Sequence, residues 1–182
     1  MIRLIVKWVL LAPVSLFMAV FARLLCPVLP LFANDEGYLP EWLWWFQTPF
    51  DTLDGDSGSW ERHPGTGKWQ TYWRRVCWLW RNAAYGFDMR VCGIKINPDT
   101  DRIVYEGNPD IGDNSGQSGK CKWFAYKGDT NEPIAWQWMF VQHYNFLKLH
   151  KCIRIGVGWK IWDVEKLRSE PAQYWLYFNP VK

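Results

Sequence analysis

The apolar run LIVKWVLLAPVSLFMAVFARLLCPVLPLFA, residues 4–33, limits this chain's possible folds more than any other stretch. It carries only two charges, Lys7 and Arg23. The uncharged part between them, residues 8–22, is 15 residues long. As a helix it covers roughly 22 Å, short of a hydrocarbon core of about 30 Å. Lysine and arginine can snorkel, so Lys7 and Arg23 fit the two interfaces of one short span, with Trp8 beside the first. One span followed by an interfacial segment is the preferred reading. Its alternative is a bent hairpin in which residues 24–32, broken by Pro27 and Pro30, form a second half. A cleaved signal peptide is a rival, because MIRLIVK is a fair basic start and Val20-Phe21-Ala22 offers small or medium residues at cleavage offsets. Cleavage there leaves RLLCPVLPLFA as a new apolar terminus, so an uncleaved anchor is expected.

The basic residues sharpen the partner class. Three of the 21 lie in residues 1–33, and the remaining 18 balance 18 acidic residues. A neutral body has no basic face to neutralise phosphates, so nucleic acid is not an expected partner. Arg3 and Lys7 flank the amino end of the apolar run, whereas Asp35, Glu36 and Glu41 follow it. This bias places the amino terminus in the cytoplasm and the body across the membrane.

Tryptophan is the compositional outlier, 15 of 182 residues. Buried indoles each need a partner for the N–H, whereas a bilayer interface suits a ring wet on one side. An aromatic β core is the other reading. The five cysteines include no C-x-x-C pair. Cys77, Cys92, Cys121 and Cys152 fit either two disulfides on an oxidising side or four buried thiols.

Behind the anchor, residues 38–50 (YLPEWLWWFQTPF) place Trp42, Trp45 and Phe46 at i, i+3 and i+4, one face of a short interfacial helix. A core helix is the alternative. Residues 51–68 form a loop in which Asp51, Asp54 and Asp56 stand in a Gly- and Ser-rich turn. Such oxygen ligands suit calcium or magnesium, although the loop lacks the glycine and distant glutamate of an EF-hand, and an Asx turn without metal reads as well. Gly65-Thr66-Gly67-Lys68 lacks the upstream glycine and leading strand of a phosphate loop.

Residues 69–84 (WQTYWRRVCWLWRNAA) predict an amphipathic helix. Trp69, Trp73, Val76 and Trp80 lie on one stripe, Arg74, Arg75 and Arg81 lie elsewhere, and Gly86 is the stop. It can lie against anionic headgroups or pack on the sheet that follows. From residue 88 the period becomes two. Candidate strands are 89–96, 102–106, 120–127, 134–142, 152–162 and 174–178, with turns at Asn97-Pro98-Asp99, Gly128-Asp129 and Asn145. In the fifth, Ile153, Ile155, Val157, Trp159 and Ile161 alternate with Arg154, Gly156, Gly158 and Lys160. Two glycines on one face mark a bend or a close approach to the backbone. The Gly/Ser/Asn-rich residues 107–119 are a binding lip or a simple connection.

No catalytic set assembles by spacing. His143 and His150 flank one hairpin connection and could meet, while His63 stands apart. On paper, Asp54 and Asp56 with His63 as base make a metal-assisted hydrolase.

Taken together, LPLFA…GYLPEWLWWFQTPFDTLDGDSG, YWRRVCWLWRNAAYGF, RIGVGWKIW and the terminal FNPVK resemble a family of small uncharacterised, membrane-anchored proteins of tailed phages and prophages. The resemblance covers most of the chain and departs at Asn82-Ala83-Ala84-Tyr85, where Asn-Pro is expected. It implies a phage origin and a bacterial host envelope, and it carries no functional residues.

The expected fold is therefore α+β: a membrane anchor (residues 1–33), an interfacial Trp-rich segment with an acidic loop (34–68), and a body (69–182). That body holds one amphipathic helix and an antiparallel meander of about six strands, curled or partly closed. The expected function is that of a phage-encoded interaction protein at the host inner membrane, its body periplasmic. Its partners are the lipid bilayer and a host or phage membrane protein, and its role is exclusion, envelope modulation or lysis. A metal-assisted hydrolase and a minor virion component are the alternatives.

Overall fold

The computed structural model describes residues 1–113, 115–128, 130–147 and 149–180. The chain is α+β, with one long apolar helix, several short helices and a five-stranded antiparallel sheet in the order β1-β2-β3-β4-β5. It divides into two compact units, Met1–Leu10 with Gly93–Lys182, and Leu11–Cys92. Helix α1, Ile2–Leu25, begins in the first and ends in the second. It runs through Pro13 and past Arg23. Proline removes one rung of the ladder, a defect that apolar helices carry without breaking. Residues 24–32 do not return as a second helix arm: a turn leads to a four-residue 3-10 helix, Leu29–Phe32.

In the 11–92 unit a second 3-10 helix, Glu41–Phe46, follows, then α2 (Ser57–Arg62), α3 (Lys68–Arg81) and α4 (Tyr85–Arg90). The contact boundary at Cys92–Gly93 groups α3 with the residues before it, whereas the sequence reading joined it to the sheet. The 3-10 form corrects the aromatic stripe read from the sequence. With three residues per turn, Trp42 and Trp45 eclipse one another and stay exposed, while Phe46 rotates inward and is buried. Helix α3 ends at Asn82, whose Nδ2 donates to Trp78 O at 3.1 Å, and Ala84 takes φ +55° at the start of α4. Gly86 is thus not the stop. It lies inside α4, where a Cβ would strike the carbonyl oxygens of Trp44 and Gln47. The expected strand over 89–96 is instead the end of α4 followed by one isolated bridge, Ile94 to Ala172.

The sheet unit holds β1 (Arg102–Gly107), β2 (Gly119–Tyr126), β3 (Pro133–Phe146), β4 (Leu149–Trp159) and β5 (Tyr174–Asn179), with α5 (Val164–Ser169) before the last strand. There are five strands rather than six, and the sheet is open. Asn145 lies within β3, paired with His150, so the hairpin turns two residues later than read. Asp129, in the expected Gly128-Asp129 turn, and Val181-Lys182 of the terminal motif lie outside the described residues. Residues opposite one another share a face. One face therefore carries Cys121, Trp123, Gln137, Met139, Val141 and Cys152, all buried. The other carries Phe124, Trp138, Phe140, Ile155, Leu176 and Phe178, none of them buried.

Ties between the loops and the first face make it the core. Ile111 is buried, Gln137 Oε1 accepts from Ile161 N at 2.6 Å, and Arg154 donates to both Asp113 oxygens at 2.8 and 2.9 Å. The glycines of β4 sit on this side. A Cβ on Gly156 would enter the Trp175 ring and one on Gly158 would strike the Trp136 carbonyl, so the close approach read from two glycines on one face is made by an indole at the first and by the β3 backbone at the second.

Candidate membrane-facing surface

Helix α1 is long and apolar enough to cross a membrane, and only 6% of its best 18-residue window is buried. A core helix of this composition would be mostly covered. The flanking residues read from the sequence fall at its two ends. Lys7 lies 5.9 Å from the Trp159 ring centroid, and Trp8 stacks on Tyr174 at 5.7 Å. Trp8 Nε1 donates to Trp175 O at 3.3 Å, and the Tyr174 hydroxyl donates to Trp8 O at 3.1 Å. At the other end Arg23 donates to Ala19 O at 3.2 Å and lies 5.9 Å from the Trp80 ring, so its charge is shared with its own helix and an indole.

Helix α3 presents the reverse of a soluble amphipathic helix. Trp69 (68% exposed), Trp73 and Trp80 face outward, while Arg74, Arg75, Val76, Trp78 and Leu79 are buried. The reason is Asp54. Arg75 grips it with two parallel bonds, Nε to Oδ1 at 2.9 Å and Nη2 to Oδ2 at 3.0 Å, and Arg74 adds Nη2 to Oδ1 at 3.4 Å. Arg74 also donates to the carbonyls of His63 (3.2 Å) and Gly65 (2.8 Å) and lies 3.5 Å from the Trp60 ring centroid. A carboxylate bound in a fork satisfies buried guanidinium, so the polar stripe points in and the tryptophans are left outside.

This geometry corrects the cation loop. Both Asp54 oxygens are held by guanidinium. Asp56 caps α2, accepting from Ser59 N at 2.8 Å, and the backbone carbonyl of Asp51 accepts from Gln47 and Thr48. The His63 imidazole makes no hydrogen bond to either Asp54 or Asp56 among the described residues, and no group of three or more metal-ligating side chains converges there. Of the residues read as a calcium, magnesium or hydrolase centre, Asp54 is thus engaged in an ion pair with Arg74 and Arg75.

Two polar centres lie in the sheet unit. The hairpin brings His143 and His150 together, stacked at 5.0 Å with His150 Nε2 3.1 Å from His143 Nδ1. His143 Nε2 lies 3.0 Å from Gly112 O, and since a carbonyl only accepts, that nitrogen carries the proton. A second hydrogen bond joins His143 Nδ1 to His150 Nε2. The pair fastens Gly112 to the sheet. Asp101 is the second centre. It accepts from Asn97 N (2.9 Å), Gly128 N (3.1 Å) and Lys127 Nζ (3.2 Å). Burial alone would raise its carboxyl, but those donors hold it below the ordinary carboxylate value.

None of the five cysteines is disulfide-bonded, and burial pushes the Cys77 and Cys121 thiols up, away from reactive thiolate. The sequence reading missed the outward sheet face, although strand 3 announced it. In AWQWMFV, Trp136, Trp138 and Phe140 alternate with Ala135, Gln137, Met139 and Val141, so apolar side chains stand on both faces of the strand. No curated protein and no solved structure matches the chain. A family model does, and the chain belongs to the family of unknown function DUF7338, matched over residues 1–182.

Proposed function

We propose that the chain is a membrane-attached interaction protein of phage or prophage origin, acting at the inner membrane of a bacterial host. The observation that carries this reading is helix α1, 24 residues long and apolar enough to cross a membrane, with only 6% of its most apolar window buried. The outward tryptophans of α3 and of the 3-10 helix, Trp42, Trp45, Trp69, Trp73 and Trp80, support it, because indole prefers the headgroup level. The phage assignment rests on the motif resemblance. The absence of a catalytic constellation among the described residues favours binding over chemistry, and the partner is a host or phage membrane protein. Exclusion of a second phage, modulation of an envelope complex and assistance in lysis are the roles this attachment serves.

Alkaline carbonate extraction of cells producing the full chain tests the attachment. The protein stays in the pellet if the reading holds, and release into the supernatant sinks it. Plating a panel of tailed phages on those cells tests exclusion. Mass spectrometry of purified particles tests the rival, since a virion component is found in them.

A further inference from the structure

We propose that the outward face of the sheet rests on one leaflet of a bilayer together with the first turns of α1, so that α1 enters the membrane without crossing it. This deepens the membrane attachment proposed above and depends on it.

The face is built for an apolar neighbour. Trp138 and Phe140 stack at 6.3 Å with an interplanar angle of 9°, and Ile153, Ile155 and Val157 stand beside them on β4. At the edge strand, Leu176 and Phe178 are 49% and 68% exposed. A contiguous apolar surface of this kind is rare on a protein that meets only water. It continues without a break onto α1, whose Ile2, Ile5, Val6 and Val9 are also exposed. Between helix and sheet runs a groove lined by Met1, Ile5, Phe124, Trp136, Trp138 and the stem of Lys122.

Charge chooses lipid over a second copy. By register the face carries Arg102, Lys120, Lys122 and Lys151 against one acid, Glu106. A two-fold dimer through a cationic face brings lysine toward lysine, whereas anionic headgroups meet it with opposite charge. Lying face down also leaves the inner ladders paired and the two sheet edges at the wet headgroup level, as a bilayer requires.

Chain topology adds an independent reason. A crossing helix would carry Met1–Leu10 to one side and everything after Leu25 to the other. Yet Trp8 is stacked on Tyr174 and hydrogen-bonded to the Trp175 carbonyl, and Met1–Leu10 forms one compact unit with Gly93–Lys182. Among the described residues, α1 is the one helix long and apolar enough to cross, so the chain has no helical route back. The periplasmic body drawn from flanking charge needs the separation that these contacts oppose.

The test uses the full chain in vesicles of phosphatidylcholine and phosphatidylglycerol. An environment-sensitive fluorophore is attached in turn to Leu16→Cys on α1, Leu176→Cys and Phe178→Cys on the face, and Glu165→Cys on α5, whose side chain is 85% exposed. The unsubstituted chain, treated alike, gives the background from native thiols. Acyl-chain-brominated phosphatidylcholine should quench positions 16, 176 and 178 and leave 165 bright. Epitopes at the two termini should be digested from the same side of sealed vesicles. Quenching at 16 alone, or termini on opposite sides, overturns the one-leaflet arrangement and leaves attachment standing. No quenching at 16 removes attachment itself, and this proposal with it. Energy transfer between labels at 178 without lipid quenching identifies a second copy as the occupant and overturns the lipid assignment.

Discussion

Helix α3 and strand β4 each carry an apolar stripe and a contrasting stripe, at periods of 3.6 and 2. In both, the contrasting stripe is turned inward. Helix α3 buries Arg74 and Arg75, and β4 buries Gly156 and Gly158 while Ile153, Ile155 and Val157 stay half-exposed and Trp159 and Ile161, at the end of the same stripe, are buried. The means differ. Burying guanidinium needs a counter-ion at one place, so the helical unit hangs on the Asp54 carboxylate. Burying glycine needs only close neighbours, which the Trp175 ring supplies at Gly156 and the Trp136–Gln137 backbone at Gly158. The same inward turn is thus reached by two unrelated routes, an ion pair in the helix and close backbone packing in the strand.

The sharpest break in that comparison is Asp54→Ala. It strands two buried cations, a loss of about 3–5 kcal/mol. Hydrogen exchange on detergent-solubilised protein should show protection collapsing in α3 and the loops at Asn34, Asp35, His63 and Gly65, whose carbonyls the arginines hold. The sheet should keep its protection. Equal loss in both units would mean that the carboxylate is not a local device.

Gly156→Ala is the matching change in the sheet. The new methyl meets the Trp175 ring, an overpacking cost of about 1–3 kcal/mol. Denaturant midpoints should show it, and Gly156→Ala with Trp175→Leu should recover part of the loss. No recovery would assign the glycine to backbone needs alone.

These two sites also show how much a sequence reader could know. The bounds of β1, β2 and β5 and the start of α3 were legible, because each rests on a local period, whereas the end of α3 at Asn82 was read too late. The uncovered apolar helix was legible too, since 30 residues with two charges leave few options. Which side of a stripe points inward was not legible, because periodicity defines a stripe and only tertiary partners orient it. Arg74 and Arg75 meet Asp54 across 20 and 21 residues of chain, so the acidic loop read as a cation site when its counter-ions were arginines. Residues 89–96 were misread because a helix end and one bridge leave no mark in a strand-like alternation. The pairing of His143 with His150 followed from the hairpin, but its use, holding Gly112, needed the fold.

Asp101 tests whether the sheet unit also hangs on a carboxylate. Its donors lower its folded value, so the unfolded chain binds the proton more readily and stability rises with pH. The contribution is full above the ordinary carboxylate value and is lost as pH falls through the depressed folded one. Asp101→Asn should cost about 1–2 kcal/mol at neutral pH, mostly from the two backbone donors, because Lys127 is largely exposed. The gap between wild type and variant should close on acidification. A gap independent of pH would mean that packing, not charge, holds the turn.

His143→Ala should cost about 0.5–1.5 kcal/mol through the lost tie to Gly112. Its clearer sign is faster proteolysis within residues 107–119 while the Asp113–Arg154 pair still limits the opening.

The smallest effect on stability is the most telling for the comparison. Trp69→Ser and Trp73→Ser remove exposed rings that stack on one another at 6.4 Å, with Trp69 also 5.5 Å from the Tyr72 ring. In detergent each should shift stability by no more than about 0.5 kcal/mol. If the outward stripe of α3 meets a bilayer, the double variant should still fold yet show weaker protection of α3 from exchange when vesicles are added. An indole stripe that served only packing would behave in the opposite way, losing stability in detergent and leaving the vesicle effect unchanged. The inversion seen in α3 then has a direct reading: side chains that contribute almost nothing to the fold in isolation are kept outward because their contribution is made to the neighbour.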